Sequence, residues 1–83
     1  MKVKLFTRKD CPKCPSAKQI CQELEKEGIT IEYYDIDTVD GMAEGAFYSV
    51  MSTPTTVVVN SEDEELKSWR GNPPDKEAIL LLK

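Results

Sequence analysis

Cys11 and Cys14 stand as C-P-K-C within "TRKDCPKCPSAKQIC", a stretch from Thr7 to Cys21 that holds every cysteine of the 83-residue chain. A cysteine pair at this spacing suits three kinds of chemistry: a structural staple, a metal clip, or a disulfide made and broken in turn. A staple closing so short a loop removes little entropy from the unfolded chain. A structural zinc site takes four ligands, whereas this chain has three cysteines and no histidine. A metal or iron–sulfur centre is therefore expected only if two chains share it through Cys11, with or without Cys14. In a reducing compartment such a pair is more often catalytic or metal-binding than structural, and with too few ligands for a single-chain metal site the reversible disulfide is the leading reading.

The chemistry needs a thiolate, since the thiolate and not the thiol attacks a disulfide. A helix beginning at the pair would aim unpaired N–H groups and a partial positive charge at it. Arg8, Lys9 and Lys13 add basic side chains nearby. Cys11 lies before the expected helix, where solvent reaches it, and is assigned as the nucleophile. Cys14 starts an apolar stripe and is assigned as the resolving thiol, one helical turn away. Without histidine, deprotonation of Cys14 falls to solvent, a carboxylate or the local field.

These residues need elements to hold them. "VKLF" (Val3–Phe6) is a short β-prone run leading into the cysteine loop. From Cys14, the apolar positions Ala17, Ile20, Cys21 and Leu24 follow helical spacing, with Lys18, Gln22, Glu25 and Lys26 on the other side. Pro15 is tolerated only near the start of that helix, and Gly28 is expected to close it. Cys21 is read as a small core hydrophobe. "ITIEYYDI" (Ile29–Ile36) reads as a strand. A short helix follows, capped by Thr38 or Asp40 and weakened by Gly41 and Gly45. Thr55–Val59 and "ELKSWR" read as a strand and its hairpin partner. "PPDKEAILLL" reads as a final helix with proline in its first turn and Ile79, Leu80 and Leu82 buried. The order β-α-β-α-β-β-α predicts an α/β fold with a mixed sheet and helices on both faces. Trp69 is read as packing, with partner contact as the alternative. Tyr33, Tyr34, Phe47 and Tyr48 are expected in the core or half-buried.

Eighty-three residues correspond to one small domain, residues 1–83. The net charge of −4 is uneven: residues 1–18 carry +5 and the remainder −9. That balance argues against nucleic-acid binding and for a positive field around the cysteines. No apolar run reaches the roughly 20 residues of a membrane helix, and the N-terminus lacks the apolar core of a secretory signal. A cytoplasmic monomer without membrane or nucleic-acid partners is expected.

Over nearly its whole length the chain resembles the thioredoxin-fold superfamily, and within it the small glutaredoxin-like proteins. "CPKC" is similar to the C-P-x-C of that group. "STPT" (Ser52–Thr55), about forty residues beyond Cys14, resembles the segment that carries its cis-proline. The resemblance implies a thioredoxin fold, a four-stranded mixed sheet flanked by three helices. It also implies a thiol–disulfide oxidoreductase that needs no cofactor. Pro54 would be cis and opposite Cys11, and Thr53 would offer its backbone to a substrate. The substrate surface would comprise Arg8, Pro12, Lys13, Thr53, Pro54 and Gly71. "SWRGNPPD" replaces the Gly-Gly-acidic turn that holds glutathione. It resembles the redoxins that supply electrons to ribonucleotide reductase and are reduced by thioredoxin reductase. Protein disulfides, with ribonucleotide reductase among them, are thus the implied targets, and thioredoxin reductase is favoured over glutathione as reductant.

Overall fold

The computed structural model describes residues 1–83. Strand β1 (Lys2–Thr7) is central, and its alternation builds two cores. Val3 and Leu5 point to one face of the sheet, and Lys4 and Phe6 point to the other, because successive strand residues alternate. β1 pairs in parallel with β2 (Thr30–Asp35) and antiparallel with β3 (Thr55–Val59). β3 pairs antiparallel with β4 (Glu65–Arg70), giving the order β2-β1-β3-β4. Buried on both faces, β3 is a continuous β-branched run, TTVVV.

On the first face, Val3, Leu5 and Val58 pack against Ala17, Cys21 and Leu24 of α1 (Cys14–Lys26) and Ile79 of α3 (Lys76–Leu82). Trp69 is half-buried against the same cluster, so its ring serves packing. On the second face, Phe6, Val57 and Val59 pack with Tyr48 at the end of α2 (Val39–Phe47). The expected mixed sheet with helices on both faces is observed. No helix is long and apolar enough to cross a membrane.

Local chemistry sets the element ends. α1 closes as expected on Gly28, at φ +88. The N–H groups of Gly28 and Ile29 donate to the carbonyls of Glu25 and Leu24 at 3.0 and 3.1 Å, the Schellman arrangement. Thr38 caps α2 by accepting from the Gly41 N–H at 3.0 Å. Gly41 also meets a packing demand: a Cβ there would collide with the backbone carbonyl of Asp35. Glycine therefore costs α2 propensity but allows the helix to close against the end of β2.

Three expectations fail. α3 begins at Lys76, with Pro73 and Pro74 outside it. Asp75 caps it by accepting from the Ala78 N–H at 3.2 Å, so the prolines form an extended lead-in. Leu82 is 39% exposed, because a helix this short lays only Ile79 fully into the core. Phe47 and Tyr33 are exposed. Phe47 ends α2 and meets the edge of the Tyr48 ring at 4.8 Å, while the Tyr33 hydroxyl donates to Glu25 at 2.5 Å.

The second face also holds a buried cation. Lys4 Nζ lies 2.9 Å from Glu44 and 3.5 Å from Glu32. It also lies over the Tyr34 and Tyr48 rings, at 5.8 and 5.2 Å. Burial alone would lower the Lys4 pKa, but the hydrogen bond to Glu44 and its charge outweigh it and hold the group charged. For Glu32, burial raises the pKa, and the hydrogen bonds from Tyr34 and Lys2 with the charges of Lys2 and Lys4 bring it below the ordinary value. A depressed carboxylate stabilises the fold above its unfolded pKa of about 4.3, and this contribution fades as pH falls through the lower folded value. Glu32→Gln should therefore cost roughly 0.5–1 kcal/mol in urea titrations at pH 7. The difference from the wild-type chain should shrink as the titrations are repeated below about pH 4.

Candidate active site

The cysteine loop leaves the end of β1 and turns sharply at Asp10, whose φ is 61. Cys14 is the first residue of α1, and Pro15 lies within the first turn, where its missing N–H costs no helical bond. The Cys14 N–H donates to the Cys11 carbonyl at 3.3 Å, closing a tight turn over the pair. Cys11 and Cys14 are disulfide-bonded, with Cα atoms 5.3 Å apart. The two sulfurs differ in setting: Cys11 is half-buried, whereas Cys14 is 3% exposed and heads the buried stripe of α1.

The helix N-terminus is electrostatically open. Lys13 at the N-cap position makes no side-chain cap, and no acidic residue lies in the first turn. Nothing on α1 therefore competes with a Cys11 thiolate for the partial positive charge there. The basic residues divide by partner. Arg8 forms a two-pronged pair with Asp37, at 3.1 and 3.3 Å, so much of its charge is met locally. Lys13, between the two cysteines in sequence, instead donates from Nζ to the neutral Asn72 Oδ1 at 2.9 Å, so no carboxylate pairs with it.

That bond to Asn72 begins a chain of contacts that joins three segments. Gly71, at φ +86, turns its N–H onto the carbonyl of Pro54 at 2.8 Å. Pro54 is buried, and the Thr53–Pro54 peptide bond is cis, as the resemblance implied. The cysteine turn, the Thr53–Pro54 segment and the loop after β4 are thus tied together as Lys13–Asn72, Gly71–Pro54. Thr53 is half-buried, and its N–H and C=O make no hydrogen bond within the chain. Pro12 is exposed on the cysteine turn. Asn72 was not singled out from the sequence; its only signal there is its place after a glycine in "GNPP".

Residues 1–82 match a family model described as "Thioredoxin domain". The chain belongs to the thioredoxin domain family. It is 31% identical over 83 residues to a protein named thioredoxin from Methanocaldococcus jannaschii, covering 96% of this chain and 88% of that one. It is 30% identical over 57 residues to a probable thioredoxin from Archaeoglobus fulgidus, covering 68% and 63%. Its fold superposes on thioredoxin 1 from Thermosipho africanus TCF52B with a TM-score of 0.79 at 24% identity, covering 99% of this chain and 90% of that one. The thioredoxin fold that the resemblance implied is the one observed. These relatives and the bonded Cys11–Cys14 pair support a thiol–disulfide oxidoreductase.

Cys21, the third cysteine of this thioredoxin domain, stands apart from that chemistry. It is fully buried, and burial with the nearby charge of Glu25 pushes its thiol up to about 12. In the reduced protein, limited iodoacetamide treatment with mass mapping should label Cys11 first and Cys21 only after unfolding. Early labelling of Cys14 or Cys21 would contradict the reading of the two environments.

Proposed function

We propose that this thioredoxin-domain protein is a dithiol electron carrier that reduces protein disulfides, with Cys11 as nucleophile and Cys14 as resolving thiol. The observation that carries this reading is the asymmetry of the pair: a half-buried Cys11 before a helix without a side-chain cap, bonded to a buried Cys14 on its first turn. The Cys11 thiolate attacks one sulfur of the target disulfide, and the other sulfur leaves as a thiolate that takes a proton from water. Cys14 then loses its proton and attacks the Cys11 sulfur. The target leaves with two added electrons, and the Cys11–Cys14 disulfide is restored.

The free N–H and C=O of Thr53 suit an extended target backbone laid beside the cysteines, a contact that gives affinity without demanding a particular side chain. Met51, two positions earlier and 92% exposed, offers an adaptable apolar contact next to it. Arg8, Pro12, Lys13 and Gly71 complete the proposed surface, with Lys13 supplying the unpaired charge and Gly71 holding the Pro54 segment.

The finer assignment rests on "SWRGNPPD". Its glutaredoxin-like resemblance favours ribonucleotide reductase among the targets. Its turn is occupied by Pro73, Pro74 and the Lys13–Asn72 bond rather than by a Gly-Gly-acidic carboxylate cradle. Both this turn and the thioredoxin relatives favour thioredoxin reductase, or a ferredoxin-linked relative, over glutathione as reductant. We place the protein in the cytoplasm as a monomer. The rival reading, a metal or iron–sulfur carrier, would need ligands from a second chain, since no three potential ligating side chains gather in this one.

Insulin-disulfide reduction tests the reading. The wild-type chain should turn over with NADPH and thioredoxin reductase faster than with glutathione and its reductase. Cys11→Ser should abolish turnover, and Cys14→Ser should accumulate a mixed disulfide with the target. Efficient turnover on glutathione alone would sink the reductant assignment, and a brown dimer inert toward insulin would favour the metal carrier.

A further inference from the structure

Thr56 Oγ1 is a buried side-chain polar atom without a hydrogen-bond partner, in a residue that is 0% exposed. Buried hydroxyls are nearly always bonded, and an exception calls for a physical reason. The register supplies one. Thr56 lies opposite Leu5 on β1 and Trp69 on β4. Both of those side chains belong to the face that α1 covers, so the Thr56 side chain points there too. β3 runs antiparallel to β1, so Thr56 sits near the end of β1 from which the cysteine loop departs, two residues after Pro54. The buried stripe of α1 over this face starts with Cys14. The hydroxyl therefore occupies the layer between sheet and helix, at the cysteine end.

The present structure holds the oxidised pair, in which the Cys14 sulfur is bonded to Cys11 and is a weak acceptor. Reduction changes that demand. Once the disulfide opens, the sulfur of the buried Cys14 must become an anion to attack Cys11. The ionisable groups on the elements packed there are poorly placed to assist. Lys18 on α1 and Lys9, Asp10 and Lys13 in the loop are exposed, and Lys13 is held by Asn72. Lys67 on β4 is exposed over the Trp69 ring, and Lys76 on α3 is paired with Glu23. Cys21 is buried but apolar in character.

We propose that Thr56 is a positioning residue for the resolving step, its hydroxyl donating a hydrogen bond to the Cys14 thiolate when the pair opens. This role rests on the dithiol reading above. The hydroxyl keeps its own proton; the Cys14 proton leaves to water, and the new hydrogen bond lowers the cost of holding the anion under α1. Its lack of a partner in the oxidised form is the counterpart of that contact.

The test is a stopped-flow reaction of the reduced full-length chain with Ellman's reagent. Cys11 attack releases a first thionitrobenzoate and leaves the second on Cys11. Cys14 attack on the Cys11 sulfur releases the second. Thr56→Val should leave the first release unchanged and slow the second about tenfold or more at neutral pH, the scale of a hydrogen bond to a charged group. The pH midpoint of the second release should move upward, and Thr56→Ser should restore both rate and midpoint. Thr56→Val also removes an unpartnered hydroxyl, so its urea midpoint should equal or exceed that of the wild-type chain. An unchanged second release, equal slowing of both releases, or a slowing that serine does not rescue would each overturn the role. If the wild-type chain released a single thionitrobenzoate, the dithiol reading itself would fall, and this role with it.

Discussion

A reactive sulfur at the tip of a loop is useful only if the helix behind it cannot move, and here that restraint is the buried stripe of α1. Ala17, Cys21 and Leu24 are fully buried against Val3, Leu5 and Val58. Burying side chains of this size is worth about 1.5–3 kcal/mol each for the larger ones, enough to fix the axis on which Cys14 sits. The first turn then has its direction set by the core rather than by capping, and it needs no side-chain cap. That leaves its N–H groups and partial charge available to Cys11. An acidic cap would have steadied the helix by about 1 kcal/mol and weakened the field that the thiolate requires.

The second restraint is the closing of three loops on one another. Each would be a mobile connection if left alone. The Gly71 N–H on Pro54 and the Lys13 ammonium on Asn72 tie the loop after β4 to both of the others. Only glycine takes φ +86 without strain, which explains why this junction uses residue 71. The geometry between the sulfur pair and the Thr53 backbone is thus set by contacts among residues distant in sequence, whereas the pair itself is set by one turn of helix.

That distinction explains what could be read in advance. Thr55–Val59 and Glu65–Arg70 were found at their observed bounds, because a β-branched run followed by a polar turn leaves little choice. The α1 stripe, the Gly28 closure and the inequality of Cys11 and Cys14 follow from local periodicity and were equally legible. The failures at Phe47, Tyr33 and Leu82 depend on tertiary context, and the one at the start of α3 on local capping. Phe47 is as apolar as Phe6, yet it lies at the end of α2 with solvent on its side. Leu82 follows Ile79 by one turn but falls beyond the reach of the sheet. Asp75 rather than Pro73 or Pro74 sets the start of α3, because a carboxylate that can accept an N–H outranks a favourable φ. Asn72 is an ordinary polar residue in the sequence, and only the fold brings it to the cysteine turn.

The charge asymmetry of the chain is likewise narrowed by the fold. Six of its basic residues fall in the first 18, which points to a local positive field around the cysteines. The strand separates them. Lys2 stands at the far end of β1, paired with Glu32 and Asp63, and Lys4 is buried on the α2 face with Glu44 and Glu32. Arg8 is met by Asp37. What remains near the sulfur pair is Lys9, Lys13 and Lys18, with Asp10 opposing them. Screening at physiological salt confines such exposed charges to about 8 Å, so only those beside the turn act on Cys11. The positive field at the pair is thus a local one, made of a helix end without a side-chain cap and a few exposed lysines, of which Lys13 is held in place by a neutral amide.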